Sequence, residues 1–419
     1  MIQSKYSHDG MFILEHSFEL PVDHSQPDSN LISLFIREIR ADPKKKKPYL
    51  VFLQGGPGFE SPRPVTHSGW IKYTLNHYNI LLLDQRGTGR STPVNFQTMG
   101  GWSPENQANY LQYFRADNIV RDAEAIRKEL IGDEPWSILG QSFGGFCSLN
   151  YLSFHSRGLR EVFITGGIPP LKAHPDDIYK RTYGRVKNKN EEFYRIFPHA
   201  HDRACQIADL IQKTNPTLPS GERLTIERFQ LLGLQLGFND GYATLNYLFE
   251  HAISNGELSY SFTKGLFGLQ AFDTNPFFTV LHEACYAQQF STDWSAEKIR
   301  HAFPEFDSSA RDPFLFTGEM LYPWMMDQFK ALVPLRDAAH ILAGKSDWPM
   351  LYDPTALMKN NVPIAAAVYT NDMYVDKDYS MESARSIKGI RCWETDEFEH
   401  NGLRSHGEKI LAKLFELLD

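Results

Sequence analysis

Hydrophobic positions in the first 170 residues alternate between short continuous runs and helical spacing. The continuous runs predict strands at residues 12–20, 32–39, 49–53, 78–83, 136–139 and 162–165. Apolar residues at positions 119, 120, 123, 126 and 130 predict an amphipathic helix over 118–131. Uninterrupted apolar strands separated by helices are typical of a mainly parallel sheet that is covered on both faces.

The pattern changes after Pro169 and Pro170, where a long helical stretch interrupts the alternation of strands and helices. Residues 171–343 have helical periodicity, are rich in Phe, Tyr, Leu and Gln, and contain few β-branched runs. Strand-like sequence resumes at 362–369 and at 390–393, and a final helix is predicted over 408–418. We therefore predict an α/β domain built from residues 1–170 and 344–419, with residues 171–343 inserted as a helical cap.

Composition excludes several classes of protein. The 419 residues are 42% hydrophobic and 22% charged, which provides ample material for a core and excludes a disordered or collagen-like chain. The net charge is −8 without a basic concentration, so we expect no nucleic-acid partner. The longest apolar run, at 362–369, is far shorter than a membrane helix needs.

Cysteine and histidine usage bears on location and metal binding. Four scattered cysteines without C-x-x-C spacing predict a reduced compartment rather than a disulfide framework. The N-terminal residues lack an apolar signal core, so we expect a cytoplasmic protein. The pair at His199 and His201 has no carboxylate partner in view, and we expect neither a metal nor a cofactor.

Ser142 stands in a pattern that indicates a catalytic nucleophile. Residues 140–144 read Gly-Gln-Ser-Phe-Gly and lie between a predicted strand and a predicted helix. In such a G-x-S-x-G turn the serine occupies a strained strand-to-helix junction, and flanking glycines avoid collisions with nearby backbone. The helix that follows directs N–H groups toward charge that develops on the substrate. The pattern favours an α/β-hydrolase fold.

A serine nucleophile needs a base and an acid that orients the base, and in α/β-hydrolases these follow in the order Ser, Asp, His. Asp372 lies three residues after the predicted strand at 362–369, where the acid belongs. His400 lies in the loop before the final helix, where the base belongs. The rival residues, at less suitable positions, are Asp376, Asp378 and His406.

The oxyanion hole requires two backbone N–H groups close to the serine. One comes from the residue after the nucleophile, Phe143, and the other from a loop after an earlier strand. Residues 54–58, Gln-Gly-Gly-Pro-Gly, follow the strand at 49–53 and let the backbone approach a substrate closely. We therefore expect Gly55 and Phe143 to donate.

Three motifs together carry a resemblance to a known family. Gln-Gly-Gly-Pro-Gly at 54–58, Asp-Gln-Arg-Gly-Thr-Gly-Arg-Ser at 84–91 and Gly-Gln-Ser-Phe-Gly-Gly at 140–145 resemble the proline iminopeptidase family of serine peptidases. The first motif usually begins with His, and here it begins with Gln54. Residues 316–324 and 399–404 are similar to the longer bacterial branch, and the similarity covers nearly the whole chain.

The resemblance implies removal of an N-terminal residue, preferably proline, from short peptides with a free N-terminus. It also implies cap glutamates that bind the substrate ammonium, since a desolvated carboxylate is the natural partner of a buried cation. Glu250 and Glu283 lie in apolar surroundings, 33 residues apart, and Glu319 is a third candidate. The alternative for each is a helix cap or a solvated side chain.

A proline ring needs an apolar, aromatic pocket. Candidate aromatics, among which the sequence does not choose, are Phe143, Phe277, Phe278, Tyr286, Tyr322 and Trp324. Two other functions remain open. The first is an esterase, amidase or lactonase on the same scaffold, because the triad is common to all of them. The second is a non-catalytic binding protein of this fold. The oligomeric state is not predicted.

Overall fold

A computed structural model describes residues 2–26 and 28–419 of the chain. The described residues form eleven strands. These are β1 (Ile2–His8), β2 (Met11–Pro21), β3 (Leu31–Arg40), β4 (Tyr49–Leu53), β5 (Asn79–Asp84), β6 (Trp136–Gln141), β7 (Leu159–Thr165), β8 (Ile253–Ser254), β9 (Glu257–Leu258), β10 (Ile364–Tyr369) and β11 (Ile390–Thr395).

Seventeen helices lie in the remaining described chain. They are α1 (Gly69–Thr74), α2 (Phe96–Met99), α3 (Pro104–Leu111), α4 (Ala116–Ile131), α5 (Phe143–Phe154), α6 (Pro175–Ile196), α7 (His199–Thr214), α8 (Ile226–Gln230), α9 (Gly241–Glu250), α10 (Tyr260–Gly268), α11 (Pro276–Val280), α12 (Ser295–Arg300), α13 (Met325–Gln328), α14 (Arg336–Ala343), α15 (Pro354–Met358), α16 (Lys377–Arg385) and α17 (Gly402–Glu416). None of them is long and apolar enough to span a bilayer.

Nine strands form one mixed sheet in the order β1-β2-β3-β5-β4-β6-β7-β10-β11. The strands from β5 to β11 in this order pair in parallel, whereas β1, β2 and β3 pair antiparallel and β3 joins β5 antiparallel. The mainly parallel sheet predicted from the apolar runs is therefore confirmed. The carboxyl ends of β6, β7 and β10 lie side by side, which places the loops after these strands at one edge.

The strand β5 explains why the parallel strands read as continuous apolar runs. Ile80 and Leu82 pack into the core beneath α1 and α17. Leu81 and Leu83 face the opposite way, into the larger core that also contains the side chains of α4, α5 and the helices after β7. Successive strand residues point to opposite faces, so a sheet covered on both sides needs apolar residues at every position.

Two features differ from the sequence expectations. The strand β1 was not predicted, because its residues are mostly polar and exposed, and it pairs with β2 at the edge of the sheet. The chain between β7 and β10 carries the helices α6 to α15, but it also includes the short hairpin of β8 and β9 and a long stretch without regular helix at 307–324. Turns in which side chains form hydrogen bonds with the backbone have no periodic pattern of hydrophobic residues, so the sequence pattern did not predict this stretch.

Candidate active site

Ser142 lies between β6 and α5, in a backbone conformation that few residues other than glycine adopt. Its φ is 54° and its ψ is −123°. The surrounding structure holds this conformation, since the Ser142 N–H donates to the carbonyl of Thr165 at 3.0 Å and the Gly145 N–H donates back to the Ser142 carbonyl at 2.7 Å. A strained residue held in this way is a marker of a functional site.

The glycines around Ser142 are required by close contacts. A Cβ on Gly144 would lie 1.9 Å from the carbonyl oxygen of Leu53 at the end of β4. A Cβ on Gly140 would lie 2.4 Å from the carbonyl oxygen of Gly144. Because real Cβ atoms do not approach other atoms this closely, the G-x-S-x-G spacing is a packing requirement of the turn.

Three polar side chains meet at the carboxyl edge of the sheet. His400 Nε2 lies 2.9 Å from Ser142 Oγ, and His400 Nδ1 lies 2.7 Å from Asp372 Oδ2. All three residues are buried, with 8%, 7% and 1% of the surface of Ser142, His400 and Asp372 exposed. In this geometry the imidazole can take a proton from the serine while the carboxylate fixes its orientation.

In the loop after β10, Asp372 is the carboxylate that contacts His400, and Asp376 and Asp378 have other partners. The other carboxylate oxygen of Asp372, Oδ1, accepts hydrogen bonds from the N–H groups of Tyr374 at 2.8 Å and Val375 at 3.0 Å. Asp376 instead caps α16 and forms an ion pair with Arg185 at 2.9 Å. Asp378 is more exposed and pairs with Arg181. Neither rival contacts His400.

His400 is held by contacts from two directions. Its backbone N–H donates to the carbonyl of Gly237 at 3.2 Å, and its ring lies 4.6 Å from the ring of Tyr374. His406, the other candidate base, is exposed and bonds to Ser405. The structure therefore brings His400, and not His406, to Ser142.

Gly55 and Phe143 lie where oxyanion donors are needed. A Cβ on Gly55 would lie 2.9 Å from Ser142 Cβ, so the main chain at this position passes directly beside the serine. Phe143 is the first residue of α5, where N–H groups have no partner within the helix. Both positions can direct an N–H toward an oxygen bound at Ser142.

A cavity of about 460 Å³ opens onto Ser142 and His400. Its walls are mostly apolar and combine residues of the nine-stranded sheet and its loops with residues of the segment between β7 and β10. The aromatic lining residues are Phe52, Phe59, Trp70, Phe238, Phe272, Phe278 and Tyr374. A volume of this size holds a small organic ligand.

Of the aromatics proposed from sequence, only Phe278 lines this cavity. Phe143 packs on Phe146 within the core. Tyr322 forms a hydrogen bond with Tyr183 and stacks on Trp324, and neither Tyr322 nor Trp324 lines the cavity. The others that do not line the cavity are Phe277 and Tyr286. The sequence offered only a weak signal for the missed ones, namely that Phe59 follows the glycine loop and Tyr374 follows Asp372.

Glu319 is the glutamate that lines the cavity. Only 14% of its side chain is exposed, and the Nε2 atom of His282 lies 3.7 Å from its Oε2 atom. Burial, with a smaller contribution from Asp372, raises the pKa of Glu319 well above its usual range. Burial also lowers the pKa of His282 to about 3, so this ring is neutral and does not neutralise Glu319.

The expectation that Glu250 and Glu283 bind the amine together requires correction. Glu250 is exposed at the end of α9 and does not line the cavity. Glu283 is buried, but its two carboxylate oxygens accept hydrogen bonds from the N–H groups of Ser295 and Ala296, each at 2.9 Å. Because both oxygens cap the N-terminus of α12, Glu283 holds a helix in place.

Within the described residues, no cluster of three or more His, Cys, Asp or Glu side chains has the geometry of a metal site. The arrangement of Ser142, His400 and Asp372 has the geometry that a serine nucleophile, its base and the acid that orients the base require.

Comparisons with known proteins agree with the fold. A family model described as the alpha/beta hydrolase fold matches residues 48–232. The sheet order, the strained serine between strand and helix, and the family match define this protein as an α/β hydrolase.

Full-length relatives narrow the assignment. The chain is 48% identical to the proline iminopeptidase of Aeromonas sobria over 415 residues, which are 98% of each protein. It is also 33% identical to a protein named proline iminopeptidase from Aspergillus aculeatus, over 99% of this chain and 96% of that relative. The chain belongs to the proline iminopeptidase family.

Proposed function

We propose that this protein is a serine aminopeptidase that releases an N-terminal residue, preferably proline, from peptides through an acyl-enzyme. The observation that carries the proposal is the presence of Ser142, His400 and a buried glutamate, Glu319, in one apolar cavity. The first two residues supply acyl transfer, and the third supplies recognition of a free amine. The names of the two full-length relatives support the same activity.

In the first half of the reaction, Ser142 Oγ attacks the carbonyl carbon of the N-terminal residue. His400 Nε2 takes the serine proton, and Asp372 stabilises the imidazolium and fixes its tautomer. The N–H groups of Gly55 and Phe143 donate to the oxyanion of the tetrahedral intermediate. His400 then gives its proton to the leaving amine, and the acyl group stays on Ser142.

In the second half, a water attacks the acyl-enzyme. His400 takes one of its protons, a second tetrahedral intermediate forms at the same oxyanion donors, and Ser142 leaves with the proton returned by His400. The released product is the free amino acid.

Glu319 distinguishes this activity from that of a general esterase. A buried carboxylate without a cationic partner is costly, and a substrate ammonium offsets that cost by forming a charged hydrogen bond. Burial raises the pKa of Glu319 in the empty site, and a substrate ammonium beside it lowers this pKa again and so favours the ionised carboxylate. The neighbouring apolar lining residues, including Phe272 and Phe278, suit the compact ring of proline.

The division of the chain into a hydrolase domain and a cap is part of the same proposal. Residues 171–343 form a cap over a hydrolase domain made of residues 1–170 and 344–419, and the cap contributes Glu319 and Phe278 to the cavity. A cytoplasmic location is also part of it, supported by four cysteines that are all free thiols.

The test compares three substrates in the wild type and three variants. The substrates are prolyl anilide, N-acetyl-prolyl anilide and nitrophenyl acetate, and the proteins are the wild type, Ser142→Ala, Glu319→Gln and Glu250→Gln. We expect Ser142→Ala to lose at least ~10⁴-fold in kcat on every substrate. The matched control Glu250→Gln removes an exposed cap carboxylate and should behave like the wild type.

The efficiency of cleavage should depend strongly on a free amine in the substrate. We expect the wild type to cleave the acetylated anilide at least ~10²-fold less efficiently, because acetylation removes the charge that Glu319 faces. Glu319→Gln should lose most of this selectivity and keep most of its activity on nitrophenyl acetate. Equal cleavage of free and blocked anilides by the wild type would favour an esterase or amidase, and inertness toward all three substrates would favour a binding protein.

A further inference from the structure

The active-site cavity carries a second charged side chain, of opposite sign to Glu319. Arg404 lines the same cavity as Ser142 and His400 and lies in the first turn of α17, four residues after His400. Among the described lining residues, Glu319 and Arg404 are the two that belong to the Asp, Glu, Lys and Arg group. Glu319 belongs to the segment between β7 and β10, and Arg404 belongs to α17.

A kink in α17 positions Arg404. The backbone of His406, with φ −137° and ψ 39°, is not helical, so the turn before it is offset from the rest of the helix. Gly407 follows and packs against α1, since a Cβ on it would lie 2.7 Å from the backbone nitrogen of Trp70. Trp70 and Leu403 line the cavity beside Arg404. The turn that bears Arg404 is therefore held against the rim by the packing of α17 on α1.

Arg404 has no ion pair and no side-chain hydrogen bond to any part of the chain that the structure describes. The other cations of α17 are engaged, since Lys409 pairs with Glu397 and Lys413 with Glu416. An exposed guanidinium at the rim of an active site is free to bind an anion, and its planar fork of N–H donors matches a carboxylate.

The substrate itself supplies such an anion. With its ammonium at Glu319 and its first carbonyl at Ser142, a peptide extends toward the rim and ends in a carboxylate. A cavity of 460 Å³ would be roughly 10 Å across if it were round, and two or three extended residues span about 7–10 Å. Short peptides therefore bring their C-terminal carboxylate within the reach of a rim side chain.

We propose that Arg404 binds the C-terminal carboxylate of the leaving peptide and so gives the enzyme a preference for di- and tripeptides with a free C-terminus. The proposal rests on the proposed aminopeptidase function. It adds a residue that selects the leaving part of the substrate, whereas Glu319 selects the amine.

The test measures kcat/KM for prolyl-alanine and for prolyl-alaninamide, which differ only in the carboxylate. We expect the wild type to prefer the free acid by about fivefold, the size of a well-aligned exposed Arg–carboxylate pair. Arg404→Gln should bring the ratio close to one, and Arg404→Lys should keep part of it, because lysine retains the charge without the fork. Raising the salt concentration should reduce the wild-type ratio.

Lys413→Gln is the matched control, since it removes one exposed positive charge from the same helix at a position that does not line the cavity. This variant should keep the wild-type ratio. The proposal is overturned if the wild type cleaves the acid and the amide equally well, or if Arg404→Gln retains the preference. Hydrolysis of prolyl anilide, which has no carboxylate, distinguishes failure of the Arg404 proposal from failure of the proposed aminopeptidase function. Activity on the anilide without a preference for the acid removes only the role of Arg404, whereas inactivity on all prolyl substrates removes both proposals.

Discussion

Lys189 of α6 and Glu399, the residue immediately before His400, form an ion pair with Nζ and Oε1 2.5 Å apart. Only 5% of the Lys189 side chain and 21% of the Glu399 side chain are exposed. The contact joins the first long helix after β7 to the loop that carries the imidazole. The position of His400 is therefore tied directly to α6.

Removing Lys189 should therefore lower the stability of the folded protein. Lys189→Met leaves Glu399 largely buried without its partner, and we expect a loss of about 2 kcal/mol in the free energy of unfolding, below the value for a fully buried pair because Glu399 retains some hydration. Urea denaturation measures this change. The double variant with Glu399→Gln should recover part of the lost stability, and an unchanged urea midpoint in Lys189→Met would show that the pair contributes nothing.

Asp372→Asn should lower kcat by about 10⁴-fold, because the amide favours the wrong imidazole tautomer and does not stabilise the imidazolium. Asp376→Asn is the matched control. It weakens the cap of α16 and the ion pair with Arg185, so stability should fall while turnover stays within a few-fold of the wild type. Circular dichroism checks folding of both variants. A large loss of turnover in Asp376→Asn with an active Asp372→Asn would reverse the assignment.

Glu319→Gln should make the protein more stable at alkaline pH. Burial raises the pKa of Glu319 from its ordinary 4.5, so the folded protein keeps a proton that the unfolded chain releases. Stability therefore falls as the pH rises from about 4.5 toward the raised pKa, by about 1.4 kcal/mol for each unit of difference. The glutamine variant lacks this dependence.

Urea midpoints at pH 4 and pH 8 measure the effect. The variant should match the wild type at pH 4 and exceed it at pH 8, and Glu250→Gln should match it at both. A wild type whose stability advantage over Glu319→Gln grows with pH would contradict the buried, unpaired state of this carboxylate.

Two glycine-to-alanine changes should have opposite effects. Gly144→Ala forces a Cβ to within 1.9 Å of the Leu53 carbonyl oxygen, and we expect at least about 3 kcal/mol of destabilisation together with loss of activity. Gly184 lies inside α6 with open space around its Cβ position, so Gly184→Ala should stabilise the protein by about 0.5–1 kcal/mol. Urea titration and prolyl anilide hydrolysis report both changes. A fully active Gly144→Ala would refute the close packing of the turn.

The sequence by itself determined the local strands and helices and the order of the candidate catalytic residues along the chain. Continuous apolar runs predicted the buried strands β4 to β7 and β10, because a sheet covered on both faces requires an apolar residue at every strand position. The sequence also predicted the strand-to-helix turn around Ser142. Its glycines are required by close contacts with residues nearby in the chain and with one neighbouring strand. Asp372 and His400 could be named from their positions after late strands.

Only the tertiary structure decided which distant side chains face one another. Ser142 and His400 are 258 residues apart, and no spacing rule says that a glutamate at 319 lines their cavity whereas one at 283 caps a helix. Both glutamates have apolar sequence neighbours, but the N–H groups of Ser295 and Ala296 donate to Glu283, whereas no hydrogen-bond donor to Glu319 is found among the residues that the structure describes. The pairing of a buried charge depends on contacts between segments far apart in sequence, and local patterns of hydrophobic and polar residues do not encode those contacts.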